Sequence, residues 1–91
     1  KDRMYVLDID TKYSPKITAY RIDTGETITV KMKKKSYVNS NIEKGCIIAC
    51  TIYKKHKMKK IEDDWVQLPE TEDWIENYIM VAKPVKEDEN E

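Results

Sequence analysis

The chain has 91 residues, 40% hydrophobic and 37% charged, and its 17 lysines and arginines balance 17 acids. That length holds one domain with a modest core, and the apolar share is that of a highly solvated globular protein. Nothing approaches the roughly 18 consecutive apolar residues of a membrane helix, and no signal-peptide core is present.

The neutral total conceals segregation. Residues 1–30 balance, whereas residues 31–60 carry ten lysines against Glu43 alone, a net +9, and residues 61–91 carry a net −9. Separation on this scale creates a local field that attracts a polyanion where the lysines share a face. The first methionine stands at position 4, which reads as a piece processed or excised from a longer parent.

In chain order, Arg3–Asp10 reads as a first strand, with Tyr5, Leu7 and Ile9 alternating against Met4, Val6 and Asp8. Thr11–Pro15 is a turn, because proline and small polar residues favour chain reversal. Ile17–Ile22 is a second strand, and Asp23-Thr24-Gly25-Glu26 a tight turn in which Gly25 supplies the positive φ. Thr27–Lys33 is the third strand: Ile28, Val30 and Met32 face the core, while Thr27, Thr29, Lys31 and Lys33 face water.

Lys34–Lys44 loses the alternation and is read as an irregular connector with room for one helical turn. From Gly45 a fourth strand places Cys46, Ile48, Cys50 and Ile52 on one face and Ile47, Ala49, Thr51 and Tyr53 on the other. It then frays into the lysine-rich Lys54–Lys60. Ile61–Leu68 is expected to be a short hairpin turning at Asp63-Asp64 and ended by Pro69. Glu72–Tyr78 is expected to be a helical turn, since Trp74, Ile75 and Tyr78 recur at helical spacing, and Tyr78–Ala82 a final strand. The acidic tail 87–91 is expected to be disordered, leaving 1–86 as the domain.

Five strands with an irregular connector between the third and fourth match an all-β, five-stranded Greek-key barrel of the oligonucleotide-binding (OB) type. An SH3-like barrel competes but accounts less naturally for the gap from Lys34 to Lys44. In an OB barrel, strands two and three floor the ligand groove and the loops after strands one and four wall it. Lys31, Lys33 and Lys35 then project from the floor. Lys55, Lys57 and Lys59 fall in one wall, and Lys12, Tyr13 and Lys16 in the other.

Single-stranded nucleic-acid sites combine such a basic groove with aromatic rings on which bases stack. The chain has six tyrosines, two tryptophans and no phenylalanine, and Tyr13, Tyr20 and Tyr37 are the candidate platforms. The competing account has lysines guarding exposed strands and Tyr20 as a core residue. Trp65 and Trp74 lie among acids that repel phosphate, so they are expected to close the barrel or dock on a protein, with the acidic segment bounding the groove.

Catalysis finds little support. There is no glycine-rich phosphate loop, no HExxH, no cofactor motif and no cysteine–histidine pair beyond Cys50 and His56. Asp8 and Asp10 lack a third carboxylate for a metal. Cys46 and Cys50 are too far apart on a strand for a disulfide, about 13 Å, and read as two buried thiols in a reducing cytoplasm.

The stretch Val6-Leu7-Asp8-Ile9-Asp10-Thr11-Lys12-Tyr13-Ser14-Pro15-Lys16, with Tyr20-Arg21-Ile22-Asp23-Thr24-Gly25 and the later Trp74-Ile75-Glu76-Asn77-Tyr78, resembles an OB-type module of bacterial replicative DNA polymerase III alpha subunits. The likeness runs from Tyr5 to Val81 and departs at Gly45-Cys46, where such modules often carry glycine–aspartate. It implies an accessory, non-catalytic module that contacts single-stranded template beside other polymerase domains. Single-stranded DNA is therefore the expected partner, with RNA as an alternative because nothing identifies a reader of the 2′-hydroxyl.

Overall fold

Strand-forming alternation extends through most of the chain, broken by one short helix. The computed structural model describes residues 1–85, so the acidic tail lies outside the described residues. Its elements are β1 (Asp2–Asp10), β2 (Lys16–Arg21), β3 (Thr27–Lys31), α1 (Lys34–Val38), β4 (Ile47–Ile61) and β5 (Asp64–Ala82). The strands close into a barrel in the order β1-β2-β3-β5-β4. Every pairing is antiparallel except β3 with β5, which is parallel. This is the expected all-β, OB-like barrel, with α1 in the connector between β3 and β4.

The core forms from the inward residues of all five strands. Met4, Val6, Ile17, Ala19, Val30, Ile48 and Cys50 are fully buried, and Met32, Ile42, Cys46 and Ile75 complete the cluster. Tyr37 of α1 packs against it. The chain re-enters the sheet at Gly45, whose φ of 92° favours glycine and where an added Cβ would lie 3.1 Å from Pro84 Cβ. Both cysteines are free and buried, and burial pushes the Cys50 thiol up to about 11.

Four register shifts explain where simple alternation misleads. Val6 pairs with Ala19 but Asp8 with Thr18, which leaves Leu7 as an extra, exposed residue of β1. Met4, Val6 and Ile9 therefore share the inward side that strict period two would split. In β5, Ile75 faces Ile52 while Tyr78 faces Cys50, so three residues match a two-residue step. The bulge at Glu76 thus mimics helical spacing, and the helical turn expected over Glu72–Tyr78 is strand instead. A third shift leaves Val81 extra between Met80 and Ala82.

The fourth shift reverses the reading of Pro69. His56 pairs with Thr71 and Met58 with Gln67, leaving Leu68, Pro69 and Glu70 opposite Lys57. A bulge needs no N–H from Pro69, so the strand passes through the proline rather than ending there. Lys54–Lys60 accordingly does not fray. It forms one side of a hairpin closed by the two-residue turn Glu62-Asp63, with Glu62 at φ 57°. Beyond the Lys54–Asp73 pair no third strand among the described residues joins this hairpin, and it is an arm that draws them out to 60 × 26 × 18 Å.

Core and arm therefore differ in what a truncation removes. Ile48→Ala is expected to cost about 2–5 kcal/mol in urea unfolding, while Ile61→Ala on the exposed arm should cost less than about 0.5 kcal/mol.

Candidate nucleic-acid interface

One row of side chains crosses the whole barrel. Asp10 pairs with Lys16, Lys16 with Lys31, Lys31 with Trp74, and Trp74 with Tyr53. Directly paired residues share a face. Lys31 lies between buried Val30 and Met32, so the row is on the outer face.

Trp74 is nonetheless only 9% exposed. Its indole N–H donates to Glu72 Oε2 at 3.1 Å, and the ammoniums of Lys31 and Lys55 stand 6.0 and 4.8 Å from its ring centroid. Such cation–π contacts hold the two ammoniums against the ring.

Beside this row lies an open groove of about 560 Å³ between the β2–β3 floor and the base of the arm. Lys16, Thr29 and Lys31 form its floor, and Lys54, Lys57, Met58 and Thr71 its arm side. Tyr13 and Ser14 of the β1–β2 loop continue it past Lys16 and Lys31. Tyr13 is 78% exposed, and the ammonium of Lys12 sits 5.6 Å from its ring centroid.

Three carboxylates intrude, Asp10 lining the continuation beside Tyr13. Glu72 bonds Lys31 at 2.9 Å and Asp73 bonds Lys54 at 3.0 Å. Burial opposes ionisation of Glu72, but the Lys31 ammonium and the Trp74 indole outweigh it and hold the carboxyl below its ordinary range.

The structure brings Lys12, Tyr13, Lys16, Lys31, Lys55 and Lys57 to this groove and its rim, from the β1–β2 loop and three strands. Others lie elsewhere. β3 ends at Lys31, so Lys33 is the N-cap of α1 and Lys35 lies within it. The period-two set Lys31, Lys33 and Lys35 is not one row: Lys33 lines a different cleft, with Ser36 and Asn77. Tyr37 is a packing residue of α1. Tyr20 stays on the outer face but pairs with Tyr5 and Thr27, about 13 Å along β2 from Lys16. Lys59 is exposed on the arm opposite Val66.

Thr29, Met58 and Thr71 are groove residues that sequence reasoning did not single out, and Trp74 lies beside the groove next to Lys31. Reading residues 72–82 as strand is the signal that would have placed Trp74 there.

Both arginines are engaged at the far end of the barrel, Arg21 with Asp2 and Glu26, and Arg3 with Asp23. Among the described residues no group of three or more His, Cys, Asp or Glu side chains is placed to hold a metal ion. No helix among them is long and apolar enough to cross a membrane. The chain matches no protein-family model, no curated protein and no solved structure.

A carboxyl held below its ordinary range stabilises the fold above the unfolded-state pKa, and that gain is lost as pH falls through the folded pKa. Glu72→Gln is therefore expected to lower stability by about 0.5–1 kcal/mol at pH 7. Urea melts should show the difference vanishing once the medium is acid enough to protonate Glu72.

Proposed function

We propose that this chain is an accessory barrel of a replicative DNA polymerase that binds single-stranded template through the groove between β2–β3 and the arm, without catalysis of its own. The observation that carries the reading is the convergence of Lys16, Lys31, Lys54 and Lys57 on one groove from three distant parts of the chain. Four ammoniums along a groove can neutralise successive phosphates and release their counterions. The exposed ring of Tyr13 at the groove's end offers the stacking face that a basic groove alone lacks.

Glu72 and Asp73 tune the affinity downward. Each already neutralises one lysine, so phosphate must compete with a carboxylate held at 2.9 or 3.0 Å. Weak binding suits a module that must let template slide. The resemblance of Val6–Lys16, Tyr20–Gly25 and Trp74–Tyr78 to polymerase III alpha modules supports the polymerase as parent, with neighbouring domains of that enzyme as further partners.

A salt titration with fluorescent oligo-dT tests the reading. Binding should appear at low salt, with log K falling against log salt at a slope of about −2 to −3. Lys31→Glu and Lys57→Glu should each weaken it severalfold and flatten the slope by about 0.7. Lys33→Glu and Lys35→Glu should leave it within about twofold, because α1 carries them away from the groove. No binding at low salt would sink the proposal, and tighter binding to oligo-U than to oligo-dT would redirect it to RNA.

A further inference from the structure

We propose that the β4–β5 arm carries a second stacking platform, Trp65, which holds a base of the same single strand after it leaves the groove. This rests on the nucleic-acid reading above and extends the site well past the barrel.

A lone two-stranded hairpin is marginal in water, and this one leaves Met58, Ile61, Trp65 and Val66 exposed. The cross-strand register sorts the arm into two faces. Lys54 with Asp73, His56 with Thr71, Met58 with Gln67, and Lys60 with Trp65 share one of them. Lys54, Met58, Thr71 and Asp73 of this face line the groove, as do Lys57 and Glu72 of the other, so this face supplies four of the six arm residues there and leads from the groove toward Trp65.

Trp65 follows three consecutive acids in sequence, which argues against a phosphate nearby. The fold removes that objection. Adjacent strand residues point to opposite sides, so Asp64, paired with Ile61, belongs to the reverse face. Glu62 and Asp63 form the turn beyond the end of both strands. The one acid on the Trp65 face is Asp73, already bonded to Lys54.

What remains is Lys60, His56, whose Nδ1 lies 2.9 Å from the Leu68 carbonyl oxygen, and an indole that is 64% exposed. A cation beside an open aromatic face complements a phosphate whose base stacks. On the reverse face Lys57 reaches the groove, and Lys55 and Lys59 keep the β4 strand of the arm positive. From Lys54 to Lys60 the face runs about 20 Å, so only a strand long enough to leave the groove reaches Trp65.

The experiment compares the 91-residue chain with its Trp65→Ala, Trp65→Phe and Lys60→Glu variants, each checked for unchanged thermal unfolding. Oligo-dT of about 5 and about 16 nucleotides spans the site sizes of such barrels. Trp65→Ala is expected to weaken the long oligonucleotide roughly 5- to 150-fold and the short one less than about twofold. Trp65→Phe should recover most of the loss, and Lys60→Glu should reproduce its dependence on length. Saturation with the long oligonucleotide should quench tryptophan emission more in the wild type than in Trp65→Phe.

Wild-type affinity of Trp65→Ala for the long oligonucleotide would overturn the platform, leave the groove standing and free Trp65 for a protein partner. Equal loss on both lengths would overturn it too. Failure of the unmodified chain to bind either length at low salt is the separate result that removes the groove reading and this inference with it.

Discussion

The parallel contact of Val30 with Asp73 and Lys31 with Trp74 is short, yet it closes the barrel between β3 and β5. It also does more. By fixing Trp74 beside Lys31 it carries the outer row across from β2 to β4. It brings Glu72 within 2.9 Å of Lys31. Because β5 joins β3 only at this point, the part of β5 that precedes Asp73 leaves the barrel with β4 as an arm. Core, groove and arm are all set by the register at these two residues.

Charge on the chain follows the same geometry. The basic middle third is divided among the groove, helix α1 and the two faces of the arm, and the acidic third is divided as well. Glu62, Asp63 and Asp64 gather at the arm's end, while Glu72 and Asp73 enter the groove and pair with Lys31 and Lys54. A boundary of acids beside a basic groove was the expectation from sequence. The arrangement is an interleaving instead, in which two carboxylates hold two lysines in place and compete with any phosphate.

The barrel class was legible from the number of strands and the connector before the fourth, and much of the core from period two. Val30 on β3, Met32 just past its end, and Ile48 and Cys50 on β4 fall on the buried side as their alternation indicates. The tight glycine at position 25, φ 79°, was readable for the same reason that hairpin turns favour it. Bulges were not legible, because an extra residue changes facing without changing composition. Leu7 and Glu76 each disrupt one strand's alternation, and the second of them made Ile75 and Tyr78 look helical. The groove was half legible: Lys12, Tyr13, Lys16, Lys31 and Lys57 were found through the fold. Lys33 and Lys35 were misplaced because β3 stops at Lys31, Tyr37 of the connector packs on the core rather than facing the groove, and Trp74 was hidden by the bulge.

Amide and indole chemical shifts of the 15N-labelled chain, followed during titration with oligo-dT, test the shared groove most directly. Binding there should move Lys16, Thr29, Lys31 and the Trp74 indole N–H together and saturate them at one oligonucleotide concentration. Shifts centred on Ile79 and Val81, exposed residues of β5 beyond the groove, with the Trp74 indole unmoved, would contradict it.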